Sequence, residues 1–121
     1  MPLVNAHKLH ELVKDILMAA GATERNSDRM AEALVSSNLS GVDSHGVWHL
    51  PSYVTYMEDG NIVPDSTPEI LSETATTALI TGNWTFGNIA AKYAMEVAIE
   101  KACSTTLDGS VSTRNWLHQV T

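Results

Sequence analysis

The chain has 121 residues, of which 44% are hydrophobic, and this is enough for one ordinary domain with a core. Its fourteen acidic and seven basic side chains give a formal net charge of -7, which would repel a nucleic acid. The single Cys103 cannot form an internal disulfide, and no apolar run is long enough to span a membrane. We therefore expect a cytoplasmic protein that binds neither nucleic acid nor membrane.

Two helices are predicted in the amino-terminal part. The first has apolar residues at steps of three and four, with Asn5 as a cap and Gly21 as the end. The second is expected to begin after Thr23 and to end before Gly41. The residues predicted to face inward are Leu9, Leu12, Val13, Ile16, Leu17 and Ala20 in the first helix, and Met30, Ala33 and Leu34 in the second.

Residues 43–53 read DSHGVWHLPSY and place a histidine among small polar residues. Asp43 or Ser44 can cap a third helical segment, and we expect the Asp43 carboxylate to complement the helix dipole. Gly46 would let a ligand approach the main chain. Because imidazole exchanges protons near neutral pH, His45 at this helix entrance is a candidate for proton chemistry.

Later elements alternate between loop, strand and helix. Pro51 predicts a kink or a fresh helix start near Leu50, and the loop Gly60–Pro68 predicts a boundary between residues 1–64 and 65–121. The remaining predictions are paired strands at Glu69–Glu73 and Thr77–Thr81, a helix from Gly87 capped by Asn88, and a further strand at Val111–Trp116. In that helix Ile89, Ala90, Tyr93, Ala94, Val97, Ala98 and Lys101 share the helical spacing. The predicted fold class is α+β.

Three other features have simple structural interpretations. Trp84 and Phe86 follow a glycine but lack a GxGxxG or Walker pattern, so we expect them to pack in the core. His7 and His10 lie beside the apolar stripe of the first helix, which predicts that they face solvent.

The string DSHGVWHLPSYVTYMEDGNIVP resembles the signature DSHGVxRLPxYxxxLxxGxxxP of the malate/L-lactate dehydrogenase family of the second type. This family is distinct from the Rossmann-fold lactate dehydrogenases. The likeness covers residues 5–103, through TGNWTFGNIAAKYAMEVAIEKA, and places the chain at the amino-terminal third of a family member. It implies reduction of a 2-oxo acid to a 2-hydroxy acid with NAD or NADP as cofactor, and a homodimer.

The resemblance also assigns roles to single residues. His45 matches the family's proton donor, and Ser44 beside it would orient the imidazole or bind substrate. His49 stands where the family usually has arginine, so it would lie near the substrate carboxylate and bind it only when protonated. Asn115 and His118 weakly match the RNxNHFG motif near the nicotinamide, since Leu117 and Gln119 depart from that motif.

Two other functions stay open. Because the resemblance places most cofactor contacts beyond Thr121, the chain alone is expected to be inactive, and it could be a non-catalytic remnant that only self-associates. The pair His45 and His49 also reads as H-x-x-x-H, a zinc-binding spacing. This alternative lacks both the glutamate of HExxH and a visible third ligand, so we expect no metal.

Overall fold

A computed structural model describes residues 3–105 of the chain. Four α-helices and one two-stranded sheet make up its regular structure, which confirms the α+β class. In chain order these are α1 (Ala6–Ala19), α2 (Glu24–Leu39), α3 (Leu50–Glu58), β1 (Glu69–Glu73), β2 (Ala78–Thr81) and α4 (Gly87–Thr105). The predicted strand at Val111–Trp116 lies outside the described residues.

The chain divides after Asp65 into two compact units. The first unit contains α1 to α3, and the second contains the strand pair and α4. The functional division at residues 1–64 and 65–121 stays a prediction.

Helix α1 begins and ends where the sequence predicts. The Asn5 side chain accepts hydrogen bonds from the backbone N–H groups of His7 and Lys8, and Gly21 follows the helix with a φ of 115°. The face of α1 that is buried is narrower than the face that the sequence predicts. Of its large members only Val13 and Leu17 are buried, whereas Leu12 and Ile16 are exposed.

Helix α2 supplies most of the core of the first unit. Thr23 caps it by accepting from the N–H of Asn26, as predicted. Met30 and Leu34 are almost completely buried, and each such side chain contributes roughly 2 kcal/mol by leaving water. The predicted third inward residue, Ala33, is half-buried.

A buried amide joins this helix to the loop that follows α3. Asn26 is 1% exposed, and its Nδ2 donates to the carbonyl oxygen of Pro64 over 2.9 Å. A buried polar group without such a partner would cost stability. The bond therefore holds the last residues of the first unit against α2.

The second unit is built on an antiparallel hairpin. Ile70 pairs with Ile80 and Glu73 with Ala78, with an irregularity between Ile70 and Ser72. This confirms the predicted strand pair. The polar connection is ordered by Thr74, whose Oγ1 accepts from the N–H groups of Thr76 and Thr77.

Helix α4 packs on this hairpin with the predicted face. Ile89 and Ala90 are buried, and the other five residues of the predicted spacing are half-buried. Lys101 is one of them, and its Nζ lies 2.7 Å from the Thr74 carbonyl and 2.8 Å from a Glu73 carboxylate oxygen. The cap prediction was wrong, since the helix already begins at Gly87 and Asn88 lies inside its first turn.

The two aromatic residues before α4 have different environments. Phe86 is fully buried, as predicted, but Trp84 is 72% exposed. Asn83 and Trp84 both have positive φ, at 50° and 60°. This backbone conformation directs the Trp84 side chain out of the core, and Phe86, two residues later, enters the core. Two non-glycine residues in this conformation cost conformational energy.

No helix among residues 3–105 has the length and apolarity needed to cross a membrane.

Candidate functional site

The DSHGVWH segment folds as two short turns rather than as one helix. A 3-10 turn covers Asp43–His45, a second covers Val47–His49, and Gly46 separates them. Helix α3 then begins afresh at Leu50, with Pro51 at a position where its missing N–H costs nothing. The predicted fresh start is therefore confirmed. The two histidines end successive turns.

His45 has one ring nitrogen engaged and one available. Its Nδ1 lies 2.9 Å from the Ser44 hydroxyl oxygen. Within residues 3–105, Nε2 of this exposed ring has no hydrogen-bond partner. A hydroxyl can donate or accept, so Ser44 can pair with the ring in either state of Nδ1. This leaves Nε2 as the atom that can exchange a proton with a ligand.

His49 is held differently, by the main chain. Its Nε2 donates to the Ser44 carbonyl oxygen over 2.5 Å. Because a carbonyl only accepts, this nitrogen must carry the hydrogen. Nδ1 is then an acceptor in the neutral ring and a donor only in the protonated ring. His49 can therefore bind an anion through Nδ1 only after protonation.

The two imidazoles are neighbours but do not stack. Their ring centroids are 6.5 Å apart with an interplanar angle of 66°, and the half-buried His49 ring also lies 5.4 Å from the exposed Trp48 ring. The H-x-x-x-H spacing does not place them on one α-helix, contrary to the premise of the metal alternative. The described residues contain no cluster of three or more potential metal ligands.

The structure brings an unpredicted residue, Asn38, to this segment. Its Nδ2 donates to an Asp43 carboxylate oxygen over 2.8 Å, and its Oδ1 accepts from the Val47 N–H over 2.9 Å. A Cβ atom on Gly46 would lie 2.1 Å from the same Oδ1. The glycine thus makes room for the asparagine amide, and the ligand approach expected at Gly46 stays a prediction.

The expected helix capping by Asp43 and Ser44 was wrong. Both residues lie inside the first turn, and none of the residues that precede the two turns or α3 makes a side-chain capping bond. The Asp43 carboxylate accepts from Asn38, and the Ser44 hydroxyl pairs with His45. The contact with Asn38, which lies near the end of α2, could not be predicted from the motif alone.

The remaining predicted residues lie elsewhere. His7 is exposed, as predicted, but His10 is half-buried, with Nε2 3.3 Å from an Asp28 carboxylate oxygen. Both line a shallow groove of about 400 Å³ between α1 and α2. Asn115 and His118, assigned to the cofactor, lie outside the described residues.

The sequence and the fold both match a known family. A sequence model of malate/L-lactate dehydrogenase matches residues 4–120, so the chain belongs to the malate/L-lactate dehydrogenase family. This confirms the resemblance found in the motif.

Curated relatives carry more specific names. The chain is 42% identical over 95 residues to an L-sulfolactate dehydrogenase of Methanothermobacter thermautotrophicus, covering 78% of this chain and 28% of that protein. It is 37% identical over 108 residues to the L-sulfolactate dehydrogenase of Methanocaldococcus jannaschii, covering 89% and 31%. The chain therefore spans less than a third of the length of these relatives.

Solved structures agree with this assignment. The malate dehydrogenase of Entamoeba histolytica superposes with a TM-score of 0.82 at 30% identity, covering 86% of this chain and 29% of that one. The sulfolactate dehydrogenase of Methanocaldococcus jannaschii gives 0.80 at 33% identity, covering 84% and 30%. This chain resembles both structures over more than four fifths of its length.

Proposed function

We propose that the chain serves an NAD(P)-dependent reduction of a 2-oxo acid to a 2-hydroxy acid, with His45 as the proton donor. The observation that carries the proposal is the exposed imidazole whose Nδ1 is paired with Ser44 and whose Nε2 has no partner in the described part of the chain. Family membership supports the reaction class. The bound nicotinamide would supply the hydride. Its proposed contacts, Asn115 and His118, lie outside the described residues.

The proton step follows from the two ring nitrogens. In the protonated ring, Nδ1–H donates to the Ser44 hydroxyl and Nε2–H points at the ketone oxygen. After the transfer the neutral ring still has its hydrogen on Nδ1. Ser44 therefore keeps the same hydrogen bond before and after the step, and only Nε2 changes. This is the orienting role proposed for Ser44.

His49 is proposed to hold the substrate carboxylate. Its Nε2 is committed to the Ser44 carbonyl, so the carboxylate would accept from Nδ1–H of the protonated ring. A hydrogen bond to a charged partner contributes about 1.5–3 kcal/mol, or roughly a tenfold to hundredfold difference in affinity. Acid binding should therefore strengthen as the pH is lowered, because only the protonated ring can donate from Nδ1.

Binding of malate and L-sulfolactate, the acids in the names of the relatives, tests this assignment. NMR titration of the histidine ring signals is expected to show shifts at His45 and His49, with affinity that falls as the pH rises. In His49→Gln, acid binding should be weak and independent of pH. In His49→Arg, acid binding should be tight and independent of pH. Absence of binding, or binding that leaves the His45 signals unchanged, would favour the non-catalytic alternative.

Turnover is a separate part of the proposal. Because the chain spans 28–31% of the length of the relatives, we propose that it binds the acid but does not reduce it unaided. Oxidation of NADH or NADPH by the purified chain, with the 2-oxo acid that corresponds to malate or to sulfolactate, would refute this part. If turnover occurs, His45→Ala should lower kcat far more than it weakens cofactor binding.

A homodimer and a cytoplasmic location belong to the same proposal. Light scattering measures whether the chain is a homodimer.

A further inference from the structure

We propose that Asn38 is a positioning residue for His45. Its side-chain amide joins the two ends of the Asp43–Val47 segment, and we call this pair of hydrogen bonds the Asn38 bridge. The catalytic meaning of the bridge rests on the proposed function, whereas its effect on the His45 ring does not.

The bridge is symmetric about the histidine. Its two partners, the Asp43 carboxylate and the Val47 N–H, lie two residues before and two residues after His45. Both bonds start from one planar amide, so the two ends are fixed relative to each other. Since Asn38 lies in α2, which is anchored by buried Met30 and Leu34, the segment is also fixed to the core of its unit.

The space around the amide supports the same conclusion. A Cβ on Gly46 would lie 2.1, 2.4 and 2.6 Å from the Oδ1, Cγ and Nδ2 atoms of Asn38. Gly46 has a φ of -95°, which other residues adopt easily, so the glycine is needed for space and not for its conformation. The amide therefore fits into the turn directly after His45.

A general role in ending helix α2 does not explain these contacts. Within the described residues, the side chain of Asn38 makes both of its hydrogen bonds to the segment around His45 and none to the carbonyls of α2. The hydroxyl of Ser37, next to it, does bond back to its own helix, at the Ala33 carbonyl. The Asn38 side chain instead bonds to the Asp43–Val47 segment.

The donor and acceptor pattern of the bridge predicts an asymmetric mutational result. In Asn38→Asp two carboxylates would face each other, and the bridge should open. In Asp43→Asn the new amide oxygen can still accept from Asn38, so the bridge should remain. In the double variant the amide at position 43 donates to the carboxylate at position 38, which also accepts from the Val47 N–H, so both bonds should return. Ser36→Asp adds the same charge at an exposed site of α2 and serves as the control.

The test uses NMR of the whole chain without any acid present. We expect Asn38→Asp to speed amide hydrogen exchange at Val47 about fivefold and to change the His45 nitrogen shifts that report the Nδ1–Ser44 bond. Asp43→Asn, the double variant and Ser36→Asp should match the unsubstituted chain in both readouts. The proposal is overturned if Asn38→Asp leaves the His45 signals unchanged, or if the double variant fails to restore them.

Acid binding measured on the same variants separates the two proposals. If malate and sulfolactate do not bind the unsubstituted chain but the ring signals follow the predicted pattern, the proposed function fails and the Asn38 bridge stands. If the acids bind and Asn38→Asp weakens binding only in proportion to lost folding, the bridge has no positioning role.

Discussion

Replacing Gly46 by alanine should destabilise the chain through the Asn38 side chain. The added Cβ would lie 2.1 Å from Oδ1, so the amide must move by more than an ångström and lose bonds of 2.8 and 2.9 Å. At about 1 kcal/mol each, the two bonds account for about 2 kcal/mol. Alanine restricts the unfolded chain and returns about 0.5 kcal/mol, because the backbone at this position suits it. The expected net loss is about 1.5 kcal/mol.

A double-mutant cycle isolates this cause. In an Asn38→Ala background the three atoms nearest to the added Cβ are gone, so Gly46→Ala should lose its cost there and show only the gain of about 0.5 kcal/mol. Urea unfolding of the four proteins, followed by circular dichroism, gives the free energies of unfolding. Equal costs of Gly46→Ala in both backgrounds, or no measurable cost in the unsubstituted chain, would refute this explanation.

Three further predictions concern the rest of the fold. Phe86→Ala should lower the free energy of urea unfolding by about 3–5 kcal/mol, whereas Trp84→Ala should change it by less than about 1 kcal/mol; equal losses would contradict the contrast in burial. Lys101→Met keeps the apolar stem but removes both polar contacts with the hairpin, so it should cost about 1 kcal/mol in the same assay, and no change would show that they contribute nothing. The hydrogen bond from Lys14 to Glu24 raises the lysine pKa, so Glu24→Gln should lower this pKa in an NMR titration. Because the folded pKa is the raised one, this stabilisation is present below the unfolded pKa and lost as the pH rises through the folded pKa.

Much of the fold could be predicted because its signals are local. The Asn5 cap, the end of α1 at Gly21 and the face of α4 follow from capping chemistry and helical spacing. The width of a buried face depends on how much of it neighbouring elements cover. The exposure of Leu12 and the outward turn of Trp84 could therefore not be read from spacing.

The candidate site was predicted only in part for a related reason. The motif pointed to His45, Ser44 and His49, and these three side chains lie together in successive turns. Their bonding partners could not be predicted, because the motif suggests a capped helix where two 3-10 turns form. Asn38 lies before the motif, near the end of α2, and only the tertiary fold brings it to Val47.

Ser44 serves the two imidazoles with different atoms, its hydroxyl with His45 and its carbonyl with His49. Side-chain replacement can remove the first contact but not the second, since every residue has a carbonyl. Ser44→Ala should therefore release one ring and leave the other anchored. The proton delivery and the anion binding that we propose for this segment can thus be separated by one substitution, even though both rings contact the same residue.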